Sequence, residues 1–219
     1  MPELTPQFLT FVFIYYVVFL FSTTCHEASH ALVAKWGGDS TAALNGQVTL
    51  NPLPHIRREP WGMLIIPIAA FIFLQQMIGW ASAPYDPAWE RRYPKRAALM
   101  ALAGPATNFM LMIVGALGLW TLGWLRFPGE GIGFLVAVLF AMFRLNLLLG
   151  VFNLLPVPPL DGSAGIMIFM SESTAQRYLD WLRESSYARL GLLVGLLAFR
   201  YLYGPIEAIA TNLLLRGHF

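Results

Sequence analysis

Long apolar segments dominate the chain, and its polar residues are gathered between them. An apolar helix needs about 20 residues to cross a bilayer, so hydropathy is averaged over windows of about that length. The apolar segments are residues 8–36, 61–81, 97–125, 131–155, and 190–203 with a weaker amphipathic tail to 215. This pattern predicts an all-α polytopic membrane protein with about four to five transmembrane or re-entrant helices.

The connections between these segments are short and polar. Residues 46–50, GQVTL, alternate between polar and apolar and lie between an Asn-Gly and an Asn-Pro pair, which predicts a short surface β-hairpin. Residues 82–96 predict a loop rich in Pro and Arg, and residues 171–189 a helical connector. We expect one membrane-embedded domain over 1–219, with a core at 8–170 and a C-terminal helix region at 187–216.

Composition supports a membrane protein and excludes some partners. The chain is 57% hydrophobic and 12% charged, with a mean hydropathy of +0.60, whereas soluble domains carry about 25% charged residues. The N-terminus lacks the basic region of a cleavable signal, so we expect the first apolar segment to remain. The net charge is only +2 and the basic residues are dispersed, which predicts no nucleic-acid partner. A single cysteine excludes an intramolecular disulfide, and no pattern indicates an oligomeric state.

One polar cluster, CHEASH at residues 25–30, interrupts the first apolar segment. Each ionisable residue inside a membrane costs roughly 2.5–3.5 kcal/mol on insertion scales, so three together require a compensating partner. On a helix, His26 and His30 project from one face and can bind one metal ion, while Glu27 can reach a water molecule on that ion. The alternative is a polar cluster satisfied between packed helices.

This spacing is the HExxH pattern of zinc proteases. A catalytic zinc ion takes three protein ligands and leaves a fourth position open, and it lowers the pKa of water there toward about 7. Glu27 would then act as the general base. The candidates for the third ligand are Asp161, His55, His218, Cys25 and carboxylates in the loops.

The stretch NLLPVPPLDG, residues 153–162, places Asp161 after a proline-broken apolar helix. Prolines at membrane depth are tolerated where the freed backbone lines a cavity or is buried in protein. The alternative interpretation is an ordinary helix end followed by an Asp N-cap.

HEASH and NLLPVPPLDG together resemble the site-2 protease family of intramembrane zinc metalloproteases. VTLNPLPHI, GWASAPYDP and ALAGPATN are similar to its short bacterial branch. The resemblance implies that His26, His30 and Asp161 bind one zinc ion per chain, that Glu27 is the base, and that Asn153 steadies the substrate or the oxyanion. A helix-to-helix hydrogen bond is the alternative role for Asn153.

Other polar residues in the apolar segments have simpler interpretations. Asn108 and Cys25 are interpreted as packing residues beside small neighbours, and Arg144 and Asn146 as snorkelling or interhelical residues. This chain also departs from the family pattern in two places. It has Arg57 and Arg58 where relatives often have Asp-Pro, and Ser163 where many have a second Gly.

A shared metal ion restricts the topology. The two histidines lie in the exit half of the first segment, and Asp161 follows the exit end of residues 131–155. These helices must therefore run in the same direction, which requires that one of the two segments between them does not cross. Residues 61–81, next to Pro60 and containing Pro67, are the better candidate for a re-entrant segment.

This topology also predicts the orientation. Most basic residues of the connections then fall on one side, with Arg126 and Arg216 opposite. By the positive-inside bias we expect an integral protein of a bacterial cytoplasmic membrane whose active site opens toward the cytoplasm. The basic residues on the cytoplasmic side are Lys35, Arg57, Arg58, Arg91, Arg92, Lys95, Arg96, Arg177, Arg183 and Arg189.

The leading functional expectation is an intramembrane zinc metalloendopeptidase. Its partners would be the lipid bilayer and a transmembrane protein substrate, which must unwind locally before water can attack its peptide bonds. The GQVTL edge could pair with such an unwound segment, or could simply link helices. The alternative function is a catalytically silent metal-binding scaffold, which has no need of Glu27 as a base. A metal or proton transporter fits less well, because the sequence shows one dense site and no continuing polar path.

Overall fold

The computed structural model describes residues 5–74, 77–125, 131–184 and 188–215, and most of these residues are helical. A π-helical turn, Trp61–Ile65, leads into the fourth helix, and a 3-10 turn, Ile166–Phe169, follows the eighth. In chain order the helices are α1 (Pro6–Gly37), α2 (Thr41–Leu44), α3 (Pro52–Arg58), α4 (Ile66–Leu74), α5 (Pro87–Arg92), α6 (Pro94–Leu125), α7 (Gly131–Asn153), α8 (Asp161–Gly165), α9 (Glu172–Glu184) and α10 (Ala188–Leu215).

Three of these helices are long and apolar enough to cross a membrane: Pro6–Gly37, Pro94–Gly123 and Gly133–Asn153. The bent pair Leu193–Phe199 and Tyr201–Leu214, which meet at 46°, adds a fourth crossing if it acts as one span. The apolar helix Trp61–Phe73 is shorter than these. These helices agree with the predicted all-α membrane protein.

Helix α6 packs along both α1 and α7 and sets their directions. His30 contacts Met100, and His26, four residues earlier, contacts Asn108, eight residues later, so α1 and α6 are antiparallel. Gly118 of α6 faces Leu139 of α7, whereas the earlier Phe109 faces the later Gly150, so α6 and α7 are also antiparallel. Helices α1 and α7 therefore run the same way. The parallel arrangement of α1 and α7 is the one that a shared ion requires.

The orientation prediction also used Arg126 and Arg216, and both residues fall outside the described part of the chain.

The segment predicted to be re-entrant has its two ends in contact. The N–H of Trp80 donates to the carbonyl oxygen of Gly62 at 3.1 Å. A Cβ atom on Gly62 would collide with the carbonyl oxygen of Trp80, so only glycine permits this approach. The chain therefore returns to the level at which the segment began, which agrees with a segment that does not cross.

The predicted β-hairpin at residues 46–50 is not confirmed, since no described residue lies in a strand. The turn residues that suggested it lie at helix ends instead. Asn45 follows α2 and donates from its Nδ2 to the backbone oxygen of Thr41 at 2.8 Å, and Asn51 caps α3 by accepting from Leu53 N–H at 3.0 Å. Asn and Pro serve helix ends as well as hairpins, and the local pattern does not distinguish the two. Helix α9 confirms the predicted helical connector and packs Ala175 and Leu179 against α6.

Candidate metal centre

Helix α1 carries three buried ionisable side chains in its second half. His26, Glu27 and His30 are only 6%, 5% and 7% exposed. Each offers a nitrogen or oxygen atom, and these atoms lie within 4.8 Å of one another. The four-residue spacing of the histidines places both imidazoles on one face of the helix, with ring centroids 4.6 Å apart.

Asp161, the first residue of α8, completes this group from across the bundle. Its Oδ2 lies 3.0 Å from His26 Nε2, and its Oδ1 lies 3.4 Å from His30 Nε2. The next residue makes this approach possible, because a Cβ atom on Gly162 would collide with the backbone of Leu154 in the loop after α7. The structure therefore brings together the three residues that the motifs suggested as ligands.

The other nitrogen of each imidazole faces a carbonyl oxygen. His26 Nδ1 lies 2.6 Å from Asn108 Oδ1, and His30 Nδ1 lies 2.7 Å from the backbone oxygen of Met100. A carbonyl oxygen can only accept a hydrogen bond, so both Nδ1 atoms carry the proton. In a neutral imidazole this leaves the lone pair on Nε2, which is the atom directed at Asp161.

Two nitrogen lone pairs and a carboxylate thus face one another in a buried space. Asp161 Oδ2 accepts no hydrogen bond even though an imidazole nitrogen is close to it. Such a group of acceptors requires a cation between them, either a proton on each ring or a shared metal ion. Two imidazole nitrogens and one carboxylate are a ligand set of catalytic zinc, with the tetrahedron completed by an open position.

The distances also suit zinc. Zinc bonds to nitrogen and oxygen of about 2.0–2.2 Å place tetrahedral ligand atoms about 3.3–3.6 Å apart. The two observed separations between Asp161 oxygens and Nε2 atoms, 3.0 Å and 3.4 Å, are close to this range. The residues present therefore fit a zinc ion without rearrangement of the helices.

Gly104 on α6 forms the wall behind the two histidines. A Cβ atom at this position would lie 2.5 Å from His30 Nε2 and closer still to His26 Nε2. Only glycine leaves the nitrogen atoms free to bind an ion. The motifs did not single out Gly104, because a Gly-Pro pair inside an apolar segment indicates a close helix contact but not which side chains it accommodates.

A cavity of about 350 Å³ reaches the site from the end of the bundle where α1 stops. Its inner wall includes Glu27, His30 and Asp161, and its outer walls come from loop 81–85 and from α9. Glu90 of α5 and Arg183 of α9 also line it and form an ion pair at 2.8 Å. Burial raises the pKa of the Glu90 carboxyl, and the hydrogen bond from Arg183 opposes that rise.

The remaining candidates lie elsewhere. Asn153 ends α7 and is half-buried, and it is not among the described residues that line the cavity.

His55 is buried in α3, and its Nε2 lies 3.1 Å from the backbone oxygen of Thr49. Cys25 is buried beside the site residues, and His218 is outside the residues that the structure describes. Arg144 pairs with Glu207 of α10 at 2.6 Å, in keeping with an interhelical role.

Comparison with known proteins identifies the family. The sequence profile of peptidase family M50 matches residues 129–198, which include Asp161. The chain is also 34% identical over 154 residues to YwhC of Bacillus subtilis, which is named as a candidate zinc metalloprotease; the match covers 67% of this chain and 64% of YwhC. The chain belongs to peptidase family M50. This is the family of the site-2 proteases that the motifs resemble.

Two further M50 relatives come from Mycobacterium tuberculosis and are also named as candidate zinc metalloproteases. Rip2 is 32% identical over 182 residues, covering 82% of this chain and 64% of Rip2. Rip3 is 30% identical over 177 residues, covering 80% of this chain and 33% of Rip3. The chain thus spans between 33% and 64% of the length of these relatives. No solved structure matches the M50 chain.

Proposed function

We propose that this M50 protein is an intramembrane zinc metalloendopeptidase that hydrolyses peptide bonds in transmembrane segments of other membrane proteins. One observation carries the proposal: the two histidines, the aspartate and the adjacent glutamate converge inside a membrane-spanning helix bundle, beside a cavity. The M50 matches support the zinc protease chemistry, and the long apolar helices support its location within a membrane.

The chain's own residues define the roles in this reaction. His26 Nε2, His30 Nε2 and the Asp161 carboxylate would hold the ion. The chemistry that a bound zinc ion supplies is Lewis acidity, which makes a water molecule more acidic and a peptide carbonyl more electrophilic. Glu27 accepts the proton from the attacking water and returns it to the leaving amine. Its carboxylate lies within 4.8 Å of the ligand nitrogens of both imidazoles, which is close enough to reach a water molecule at the site.

The reaction requires an extended substrate rather than a helical one. In a helix the peptide carbonyl groups are held in intrahelical hydrogen bonds, so a transmembrane substrate must unwind next to the site before water can attack. The long apolar helices around the site support a transmembrane protein segment, presented from the surrounding bilayer, as the substrate.

Asn153 and the orientation complete the proposal. Asn153, in the last turn of α7 and one loop before Asp161, would steady the substrate or the oxyanion once a substrate segment is in place. The cavity walls include α9 and the loop before α5, a region rich in basic residues. By the positive-inside bias this end faces the cytoplasm of a bacterial cell, so the site opens there.

The Glu27→Gln variant tests the proposal. Purified protein would be reconstituted with zinc in liposomes containing single-span reporter proteins, some with Gly and Pro in the transmembrane segment and some with Leu only. We expect Glu27→Gln to retain zinc but to cleave at least about 100-fold more slowly, because an amide cannot take the proton. Wild-type cleavage should fall within the transmembrane segment and favour the reporters that unwind easily.

Two outcomes would contradict the proposal. Equal cleavage by the wild type and Glu27→Gln would exclude Glu27 as the general base and would indicate that a contaminating protease cleaves the reporters. Full zinc binding by the wild type with no cleavage of any reporter would favour the metal-binding scaffold.

A further inference from the structure

A chain of buried hydrogen bonds runs from the metal centre to α7. His26 Nδ1 lies 2.6 Å from Asn108 Oδ1, and Asn108 Nδ2 donates to Asn146 Oδ1 at 2.9 Å. Asn146 Nδ2 then donates to Ser22 Oγ and to the backbone oxygen of Met142, both at 2.9 Å. Both asparagines are 0% exposed. The chain therefore connects α1, α6 and α7 in a part of the bundle that water does not reach.

The far end of this chain fixes the direction of every bond in it. The Met142 oxygen is a peptide carbonyl and can only accept, so Asn146 must turn its NH₂ group toward it. The Oδ1 of Asn146 then faces Asn108 and can only accept, so Asn108 must present its own NH₂ group there. This leaves Asn108 Oδ1 facing His26, where the imidazole Nδ1 must carry the proton.

We infer that Asn146 is a positioning residue that sets the tautomer of His26 through Asn108, which lies between them. The inference builds on the proposed metal site. An amide suits this task because its donor and acceptor are at different atoms, so it cannot reverse its direction without a half-turn that the Met142 carbonyl opposes. A hydroxyl in its place could donate or accept and would fix nothing. The result is an Nε2 lone pair held toward Asp161.

The two metal-binding histidines are thus oriented in different ways. His30 donates directly to a peptide carbonyl, that of Met100, whose direction the helix itself determines. His26 faces a side-chain amide, which would be free to rotate by itself. Asn146 removes that freedom, and this explains why a second amide is buried within a membrane span at a position that contacts no ligand directly.

Ser22 provides a matched control within the same network. Ser22→Ala removes one acceptor of Asn146 but leaves the Met142, Asn146, Asn108 and His26 contacts in place. Asn146→Leu removes the element that fixes the direction. If Asn146 only holds helices together, both variants should weaken the protein and leave the His26 tautomer unchanged. If it sets the tautomer, only Asn146→Leu should affect His26.

The test measures the tautomer and the zinc affinity of the full chain in detergent. Nitrogen NMR of zinc-free protein with ¹⁵N-labelled histidine, at alkaline pH where the imidazoles are neutral, reports which ring nitrogen carries the proton, with the His26 signal assigned by comparison with a His26→Gln sample. Zinc affinity comes from competition with a chromophoric chelator. We expect Asn146→Leu to shift His26 toward the Nε2–H tautomer and to weaken zinc binding about 10–100-fold. Ser22→Ala should keep the Nδ1–H tautomer and bind zinc within about threefold of the wild type.

A conservative variant keeps the inference testable if Asn146→Leu does not fold. In Asn146→Asp an oxygen still accepts from Asn108, so His26 should keep its Nδ1–H tautomer. An Nε2–H tautomer in Asn146→Asp, an unchanged tautomer in Asn146→Leu, or an equal loss of zinc in Ser22→Ala would overturn the inference. Neither readout requires cleavage, so the proposed protease activity can fail independently.

Discussion

Gly104→Ala should abolish zinc binding through a single added methyl group. The new Cβ would lie 2.5 Å from His30 Nε2 and closer to His26 Nε2, against the two atoms that would bind the ion. To reach ordinary van der Waals contact, these nitrogen atoms must retreat by about 1 Å. Metal sites tolerate deviations of about 0.2 Å in ligand distances. The displacement is therefore several times larger than the site can absorb.

Two opposing effects decide the stability of this variant. Alanine is favoured over glycine inside a helix by about 1 kcal/mol, which by itself would stabilise α6. Overpacking of a filled core costs about 1–3 kcal/mol, and here the neighbours are imidazoles held on their far side by hydrogen bonds. We expect a net destabilisation of about 0–2 kcal/mol, so the protein should still fold while its zinc affinity falls by at least about 100-fold.

The assay measures zinc per chain after dialysis against a weak chelator, together with thermal unfolding in detergent. Gly133→Ala is the matched control, because Gly133 also lies in a spanning helix and no atom comes within 4 Å of its added Cβ. It should keep its zinc and unfold at the same or a higher temperature. If Gly104→Ala retained wild-type zinc content, the Nε2 atoms of His26 and His30 could not both be ligands of the ion.

Two further predictions concern the end of the bundle near the active site and the topology. Burial raises the pKa of Asp39, but hydrogen bonds from the Thr41 hydroxyl and from the backbone N–H groups of Asp86 and Thr41 lower it further, so the net shift is downward. The stabilising effect of the Asp39 carboxylate should therefore be lost as pH falls below about 4. Asp39→Asn should flatten this acid dependence in thermal unfolding. In a Cys25→Ser background, cysteines at the exposed positions Asn45 and Lys95 should react with a membrane-impermeant reagent from the same side; reaction from opposite sides would show that residues 61–81 cross.

The sequence predicted those parts of the site that depend on local geometry. His26, Glu27 and His30 follow from helical periodicity alone, because a four-residue spacing fixes their common face. Asp161 needed the family resemblance and was then consistent with the direction of the helices. The re-entrant segment followed from that same requirement, and the contact between Gly62 and Trp80 agrees with it.

The parts that were missed depend on how helices approach one another. Gly104, Asn108 and Asn146 act through contacts between α1, α6 and α7, and no spacing within one helix reveals such contacts. The two asparagines were interpreted as packing and interhelical residues, which describes their location but not their effect on His26. The β-hairpin prediction failed to find support for the opposite reason: its turn residues were local signals that serve helix caps equally well.

The central claim is that His26, His30 and Asp161 bind one zinc ion. X-ray absorption at the zinc edge of the purified protein tests it most directly, with Asp161→Ala measured alongside. We predict about one zinc per chain with only nitrogen and oxygen neighbours at about 2.0–2.2 Å, two of them imidazoles, and a large loss of zinc in the variant. A sulfur neighbour at about 2.3 Å, which would indicate cysteine, or an unchanged spectrum and zinc content in Asp161→Ala would contradict the account.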